Sequence, residues 1–170
     1  MAIQAQRDAL TSLYNRAYLD QLLGAQFDMS RSLGQPLTLI FIDIDDLKKI
    51  NDTYGHSGGD SVLVSVARVL QSATRESDTV VRYGGDEFVV LLTNTGEDNG
   101  AKIAERIRSK TAATHHILSE GTQIPVTVSV GWATLSAESA ILSANELLEV
   151  ADRSLYLAKA GGRNRVVRAV

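Results

Sequence analysis

The first half of the chain alternates apolar and polar segments in a way that predicts a helix, a buried strand and a second helix. Gly34, Gln35 and Pro36 interrupt a first helical segment. The run LTLIFIDI (37–44) is almost continuously apolar, which is typical of a central strand buried on both faces. From Asp60 onward, apolar residues recur at helical spacing and predict a helix of about four turns, with Val62, Leu63, Val66, Val69 and Leu70 on its buried face.

The second half predicts a hairpin, two more helices and further strands. TVVRY (79–83) and EFVVLL (87–92) form the hairpin, and a helix follows near Asp98 to Thr111. QIPVTVSVGWATL (123–135) is a long β-rich stretch, the last helix ends at Gly161 and Gly162, and RVVRAV (165–170) is expected to be an edge strand. This order indicates an α+β domain, in which helices pack on a mostly antiparallel sheet, and disfavours a doubly wound parallel sheet.

Composition narrows the class of protein. A chain of 170 residues is expected to form one domain spanning residues 1–170, and no apolar run approaches the roughly 18 residues that cross a membrane. The absence of cysteine excludes disulfides and thiolate sites and fits a cytoplasmic protein. A net charge of -3 argues against duplex nucleic acid as a partner. Because the first motif lies so near Met1, we expect the domain to be part of a longer, regulated protein.

Two acidic segments carry the first candidate chemistry. In RYGGDEF (82–88), Gly84 and Gly85 could simply supply the positive φ angles of a two-residue turn, with Asp86 and Glu87 in water. In DIDDLKKIND (43–52), Asp45 or Asp46 could cap the next helix, and the other carboxylates could be solvated charges.

The alternative is a shared cation site. If the hairpin pairs beside the strand that ends at Asp43, Asp86 comes close to Asp43, and the two carboxylates repel each other unless a cation neutralises them. Mg²⁺ suits such a site, since it takes one or two carboxylates and completes its shell with water and substrate phosphates. A nucleoside triphosphate is the expected substrate.

The segment YGHSGGD (54–60) is expected to be a glycine-rich loop that opens a helix, although it lacks the phosphate-binding signature of P-loop proteins. Asp60 could be the helix N-cap, or it could accept hydrogen bonds from N1 and N2 of guanine. Asn51 could assist in recognising the base, and His56 is expected to line the substrate pocket.

Two basic segments complete the candidate residues. In LAKAGGRNRV (157–166), Lys159 could favour the helix dipole and Arg163 could be a surface residue, or both could hold β and γ phosphates together with Lys48. RESD (75–78) is a common tetrapeptide, yet an arginine and an aspartate can bind opposite edges of guanine. Arg106 could add a stacking or phosphate contact there.

The sequence resembles the GGDEF-domain diguanylate cyclases from about Asp8 to Val167. The motifs that match, in order, are RDALTSLYNR, DIDDLKKIND, YGHSGGD, RYGGDEF, VSVGWA and ADRSLYLAKAGGRNRV. The resemblance implies a palm-like fold with a central antiparallel sheet flanked by helices, similar to nucleotidyl cyclases and polymerase palms. Ser12 replaces a common glycine and Leu47 a common aromatic residue, which affects local packing.

The resemblance also implies roles for individual residues. Magnesium, with manganese as an alternative, would be bound by Asp43, the Ile44 carbonyl and Asp86. Asp86 is often assigned as the proton acceptor, with Glu87 beside it, although a carboxylate that binds a metal is a poor base. The remaining implied residues are Asn51, His56 and Asp60 for guanine, Lys159 and Arg163 for phosphates, and Arg75 and Asp78 for inhibition by cyclic di-GMP. Lys48 and Arg106 are expected to join the phosphate-binding and the inhibitory residues, respectively.

The implied reaction joins two GTP molecules, one on each protomer of a homodimer, into cyclic di-GMP with loss of pyrophosphate. Two alternatives stay open from the sequence: a catalytically silent module that senses GTP or cyclic di-GMP, and an enzyme that makes a different cyclic nucleotide. Neither a duplex nucleic acid nor a membrane is an expected partner of this segment.

Overall fold

A computed structural model describes residues 6–168 of the chain. The strands are β1 (Tyr14–Asn15), β2 (Leu37–Ile44), β3 (Thr79–Arg82), β4 (Glu87–Thr93), β5 (His116–Ile117), β6 (Gln123–Ile124), β7 (Val128–Leu135) and β8 (Val166–Arg168). The helices are α1 (Arg16–Leu33), α2 (Leu47–Ala73), α3 (Glu97–Ala113) and α4 (Ala144–Ala160). Six strands form one sheet in the order β1-β3-β4-β2-β7-β8, and β5 and β6 form a separate hairpin.

The centre of the sheet confirms the predicted α+β class. Strand β2 has the predicted limits, all its residues are buried, and it runs antiparallel to both β4 and β7. The edge strands differ from the centre, because β1 pairs in parallel with β3 and β8 in parallel with β7. The antiparallel register places Asp43 opposite Glu87 on one side and opposite Ser129 on the other.

Helices cover both faces of the sheet because β2 alternates its side chains between two cores. Ile40, Ile42 and Ile44 belong to the core formed with α2 and α3. Leu37, Leu39 and Phe41 belong to the core formed with α1 and α4. This arrangement explains the uninterrupted apolar run, since a strand covered on both sides has no polar face.

Gly131 in β7 is required by the close approach of α4. A Cβ atom at this position would lie 2.0 Å from the backbone nitrogen of Leu155 and 2.5 Å from the carbonyl oxygen of Ala151. Glycine therefore lets α4, which carries Lys159, pack directly on the strand backbone.

The second helix differs from the prediction. It begins at Leu47 instead of Asp60 and is interrupted at Gly55, whose φ of 76° and ψ of 175° are not helical. The expected loop at 54–60 is therefore wrong, since Gly58 and Gly59 are buried and helical. A Cβ atom on Gly58 would lie 2.5 Å from the Tyr54 Cβ, and one on Gly59 would lie 1.8 Å from the Asn51 Oδ1. These glycines serve packing within the helix.

The remaining elements follow the predictions with shifted limits. Helix α3 is slightly longer than expected, and the β-rich stretch at 123–135 divides into β6 and β7. Helix α4 ends at Ala160, directly before the predicted glycines. The predicted edge strand is present as β8, and its last two positions, 169 and 170, lie outside the described residues. Within residues 6–168, every helix is too short or too polar to cross a membrane.

Candidate active site

Asp43, the penultimate residue of β2, is the centre of an acidic cluster. It is 3% exposed, and its carboxylate pairs with the Lys159 ammonium of α4. Burial and the neighbouring Asp86 carboxylate outweigh this ion pair and raise the pKa of Asp43 to about 7. Burial of Lys159 opposes its charge, but contact with Asp43 raises the pKa of the Lys159 ammonium overall. The ion pair with Lys159 alone therefore does not keep the buried Asp43 carboxylate fully in its charged form.

The turn between β3 and β4 brings Asp86 to this cluster. The Ile44 backbone N–H donates to the Asp86 carbonyl oxygen at 3.0 Å, so the turn is tied directly to the end of β2. Glu87 is half-buried, and burial followed by the Asp86 charge raises the pKa of its carboxyl group. Two elements distant in sequence thus place Asp43, Asp86 and Glu87 together.

The two glycines of this turn do not have the expected backbone conformation. Neither Gly84 nor Gly85 has a positive φ angle, so the interpretation as a tight two-residue turn is wrong. The turn is wider, and the N–H groups of Tyr83 and Gly84 both donate to the Glu87 carbonyl oxygen, at 2.8 and 3.2 Å. A Cβ on Gly84 would lie 2.5 Å from the Glu87 Oε1, whereas one on Gly85 would enter open space. Gly85 therefore leaves the backbone at the tip of the turn accessible.

Arg82 supports the turn from the outside, a contact that the sequence analysis did not assign. Its guanidinium donates to the Gly85 carbonyl oxygen at 2.9 Å and to the Asp8 carboxylate at 3.2 and 3.3 Å. Asp8 in turn accepts from the backbone N–H and the hydroxyl of Thr11. The segment before β1 is thereby connected to the turn that carries Asp86.

The predicted phosphate ligands are only partly brought to the acidic cluster. Lys159 contacts Asp43 directly. Arg163 is exposed, and its Nε lies 3.9 Å from the Asp46 Oδ1. Lys48 is exposed in the first turn of α2. Arg163 therefore lies near Asp46, and Lys48 follows Asp46 by two residues at the start of α2.

The carboxylates of Asp45 and Asp46 do not cap α2, contrary to one interpretation of the sequence. Asp46 occupies the N-cap position, but its side chain makes no capping hydrogen bond there. Asp45 is buried and accepts from the hydroxyls of Thr127 and Ser129, at 2.7 and 2.6 Å, and from the Asn164 backbone N–H at 3.0 Å. These partners are distant in sequence, so local patterns did not reveal them.

The candidate guanine ligands lie on both sides of the break in α2. Asn51 is half-buried, and its side chain covers Gly59. His56 and Asp60 are exposed, and Asp60 lines a cavity of about 300 Å³ together with Leu10 and Ser61. Asp60 lies inside the helix, so the alternative role of helix N-cap is wrong.

The predicted inhibitory residues occupy the opposite end of β3 from the turn. Asp78 is buried, and it accepts from the Arg75 guanidinium at 2.9 and 3.3 Å and from the Arg75 backbone N–H at 2.8 Å. Arg75 and Arg106 line one cavity of about 290 Å³, which also contains Thr95. Arg75 and Asp78 together line a second cavity of about 340 Å³. The structure thus joins Arg75 to Asp78 in an ion pair and places Arg106 in the lining of the cavity that Arg75 shares with Thr95.

The acidic cluster has the chemistry of a magnesium site. Across residues 6–168, no three His, Cys, Asp or Glu side chains are grouped as a complete set of metal ligands. Mg²⁺ does not require one, since one or two carboxylates suffice when water and phosphate oxygens complete the octahedron. The raised pKa of Asp43 beside Asp86 shows two carboxylates that a divalent cation would stabilise in the charged form.

The sheet, the flanking helices and the acidic cluster define a palm-like α+β domain of the nucleotidyl-cyclase type. Residues 5–165 match the sequence profile of the family described as "Diguanylate cyclase, GGDEF domain", so the chain belongs to the GGDEF domain family. Diguanylate cyclase A of Treponema denticola is 42% identical over 162 residues, covering 94% of this chain and 43% of that protein. Diguanylate cyclase DosC of Escherichia coli strain K12 is 39% identical over 159 residues, covering 94% of this chain and 34% of that protein. The chain thus spans less than half the length of these curated relatives.

Solved structures agree with this assignment. The GGDEF domain of DgcB from Caulobacter crescentus, in complex with c-di-GMP, has a TM-score of 0.89 at 33% identity and covers 96% of this chain and 95% of that chain. The active GGEEF domain of a diguanylate cyclase from Vibrio cholerae has a TM-score of 0.82 at 33% identity, covering 90% of this chain and 95% of that chain. The family and the palm fold predicted from the sequence are confirmed.

Proposed function

We propose that this chain is the catalytic domain of a diguanylate cyclase, which joins two GTP molecules into cyclic di-GMP and releases two pyrophosphates. The observation that carries the proposal is the meeting of Asp43, Asp86 and Lys159 at the end of β2. Relatives named diguanylate cyclase and a similar domain solved with c-di-GMP support it.

The carboxylates of Asp43 and Asp86 and the carbonyl of Ile44 would hold Mg²⁺, and Mn²⁺ would be an alternative. When bound, the ion would neutralise triphosphate charge and polarise the reacting phosphate. The chain's own residues would do the rest of the positioning. Lys159 has the place and charge to contact phosphate oxygens, and Arg163 and Lys48 extend the positive charge around Asp46.

Guanine would be recognised from the broken helix α2. The Asp60 carboxylate can accept from N1 and N2 of guanine, a pair of donors that adenine lacks. The Asn51 side chain lies against Gly59, the residue before Asp60, and can form a hydrogen bond to the same base. His56, which is exposed directly after the break at Gly55, would contact the substrate from the same segment. An acceptor that a bound base covers and leaves unpaired gives strong discrimination against the wrong base.

Chemistry would require two copies of the domain, because each binds one GTP. The 3′-hydroxyl of one GTP forms a bond to the α-phosphate of the other, pyrophosphate leaves, and the hydroxyl proton passes to a base; the second half-reaction closes the ring. Asp86 and Glu87 are the candidate catalytic carboxylates at the reacting group. Holding two substrates face to face supplies much of the acceleration.

Product inhibition through Arg75, Asp78 and Arg106 is the regulatory part of the proposal. The Asp78 side chain is fully buried beneath its ion pair with Arg75, so Arg75 has to move aside before Asp78 can accept from guanine. Arg75 and Arg106 face a common cavity and can contact the guanine edge and a phosphate without that rearrangement.

The direct test is to incubate the protein with GTP and Mg²⁺, and to measure pyrophosphate and separate the nucleotide products. We expect cyclic di-GMP, with a specific activity that rises with protein concentration. Asp86→Ala should abolish turnover, whereas Asp52→Ala, an exposed acid of α2, is the matched control.

The alternatives give different results in the same assay. GTP binding without pyrophosphate release would identify a silent sensor and refute the proposal. A mixture of GTP and ATP that yields a mononucleotide or a hybrid dinucleotide would refute the assigned product. Specific activity that is constant down to dilute enzyme would refute the shared site.

A further inference from the structure

Asp45 is a buried carboxylate beside the acidic cluster that takes no part in the proposed metal site. Its Oδ1 accepts from the Ser129 hydroxyl at 2.6 Å, and its Oδ2 accepts from the Thr127 hydroxyl at 2.7 Å and the Asn164 N–H at 3.0 Å. Its backbone N–H also donates to the Thr127 carbonyl oxygen at 2.9 Å. With both oxygens engaged by protein donors, the side chain connects the end of β2 to the start of β7 and to the segment at 161–165.

The segment at 161–165, which we call the α4–β8 loop, has an unfavourable backbone conformation. Arg163 and Asn164 both have left-handed φ angles, 65° and 43°, which cost free energy in residues other than glycine. Such a conformation persists when surrounding contacts determine it. The bond from the Asn164 N–H to Asp45 is one of these contacts, and it is strengthened by the charge of the acceptor.

Other contacts hold the ends of the same loop. The Arg163 N–H donates to the Ala158 carbonyl oxygen at 3.0 Å, and the Arg165 carbonyl oxygen accepts from the Val130 N–H at 2.9 Å. Arg108 of α3 donates to the Asn164 Oδ1 at 2.9 Å. Asp45 supplies a buried, charged acceptor at the middle of the loop, next to Arg163.

We propose that Asp45 is a positioning residue that fixes the α4–β8 loop so that Arg163 and the adjoining Lys159 face the triphosphate. The inference rests on the proposed function, because it assigns phosphate binding to those two cations. It differs from a metal-ligand role, since the oxygens of Asp45 are already engaged by Thr127, Ser129 and Asn164. Loss of Asp45 should therefore weaken contacts with the phosphates and leave contacts with the base intact.

Two substitutions at Asp45 separate positioning from charge. In Asp45→Asn, the amide oxygen can replace Oδ2 and accept from Thr127 and Asn164, while the amide NH₂ donates to the Ser129 hydroxyl oxygen. In Asp45→Ala, all three donors lose their acceptor. If the alanine variant does not fold, Asp45→Ser replaces it, because its short side chain does not reach the Asn164 N–H.

The matched control is Thr38→Val, at the opposite end of β2. Thr38 is also buried, donates to the Thr95 carbonyl oxygen at 2.8 Å and contacts the Thr134 hydroxyl of β7 at 2.6 Å. Its loss removes one buried hydrogen bond to the loop after β4 and one to β7, at the opposite end of β2 from Asp45. Any effect of general destabilisation should appear in this variant as well.

Two measurements test the inference. Calorimetric titration compares a non-hydrolysable GTP analogue, with Mg²⁺, against guanosine, and limited trypsin digestion follows cleavage after Arg163 and Arg165. We expect Asp45→Ala to bind the analogue about 10-fold more weakly or worse, with unchanged guanosine affinity and faster cleavage in the loop. The affinity of Asp45→Asn for the analogue should stay within about 3-fold of the wild-type value. Thr38→Val should match the wild type in its affinity for the analogue, its affinity for guanosine and its rate of cleavage in the loop.

The outcomes distinguish this inference from the proposed function. Equal affinity of the Asp45→Ala and wild-type proteins for the analogue would overturn the positioning role, even with faster cleavage. If Asp45→Ala lost affinity for the analogue and for guanosine equally, or if Thr38→Val lost as much affinity for the analogue, Asp45 would have only a structural role. Either result would overturn the positioning role too. If the wild type fails to bind the analogue, the proposed function fails, and with it the phosphate role given to the loop.

Discussion

The ion pair between Arg75 and Asp78 is expected to stabilise the fold, independently of any ligand. The Asp78 side chain is fully buried, whereas that of Arg75 is 54% exposed. The hydrogen bond to Asp78 raises the pKa of the Arg75 guanidinium. Arg75 also donates to the Thr93 carbonyl oxygen at 3.0 Å and to the Thr95 hydroxyl at 2.9 Å. Arg75→Ala would leave the buried Asp78 carboxylate with the backbone N–H of residue 75 as its donor.

The loss of stability in Arg75→Ala follows from the hydrogen bonds that the substitution removes. Hydrogen bonds to a charged group are worth about 1.5 to 3 kcal/mol, and solvent screening of a half-exposed guanidinium favours the lower part of that range. We therefore expect Arg75→Ala to lower the free energy of unfolding by about 2 kcal/mol. In a domain of this size the melting temperature should fall by about 4 to 8 °C.

Urea unfolding of the ligand-free protein measures this cost, with Arg153→Ala on the exposed side of α4 as the control. Equal stability of Arg75→Ala and Arg153→Ala would refute the structural role of the pair. If Arg75→Ala loses product inhibition, the cause could be either the lost contact with cyclic di-GMP or the lost ion pair with Asp78. Arg106→Ala is the cleaner test, since its guanidinium makes one long hydrogen bond, 3.3 Å, to the Ala73 carbonyl oxygen.

Three further predictions concern packing, pH and the turn. Gly131→Ala should lower the free energy of unfolding by about 3 kcal/mol or more, because the added methyl group meets backbone atoms of α4. Gly24→Ala in α1 places its methyl group in open space and should raise the free energy of unfolding by about 0.5 to 1 kcal/mol. Equal urea midpoints for the two variants would contradict this prediction. Burial lowers the pKa of His116 below the unfolded value of about 6.5, so the stability it contributes is complete above that pH and is lost as the pH falls. His116→Gln should remove this acid-side loss in pH-dependent unfolding and His115→Gln should retain it. Arg82→Gln should lower the kcat for cyclic di-GMP formation about 10-fold or more, because the Gly85 carbonyl loses its anchor; a wild-type kcat would exclude that role.

Much of the fold could be predicted because its signals are local. The apolar run at 37–44 has the limits of β2, and Gly161 and Gly162 lie directly after the last helical residue. The strand β1 and the parallel pairing of both edge strands could not be predicted in the same way. Strand β1 is two residues long and depends on its partner β3, so its sequence carries little periodicity.

Several glycines have a role that their local sequence does not predict. Gly58 and Gly59 predicted a loop, but they are helical. A larger residue does not fit at either position, because the side chains of Tyr54 and Asn51 occupy the space beside them. Gly84 and Gly85 predicted positive φ angles that they do not adopt. Gly58, Gly59 and Gly84 are explained by side chains that lie next to them, which the order of residues does not reveal, whereas Gly85 faces open space.

The candidate site was predicted unevenly for the same reason. The meeting of Asp43 and Asp86 follows from pairing a hairpin beside a central strand, a rule of topology that applies to the sequence. The role of Asp45 depends on Thr127, Ser129 and Asn164, which lie more than 80 residues away. A buried carboxylate needs such partners, but nothing local identifies them.

The central claim is that Asp43 and Asp86 together hold a divalent cation on the triphosphate of GTP. Electron paramagnetic resonance of Mn²⁺, titrated into the protein with a non-hydrolysable GTP analogue, measures this binding directly. Wild-type protein and Asp52→Ala should immobilise Mn²⁺ equally, whereas Asp43→Asn and Asp86→Ala should each weaken binding by at least about 10-fold. Undiminished Mn²⁺ binding in both Asp43→Asn and Asp86→Ala would contradict the account.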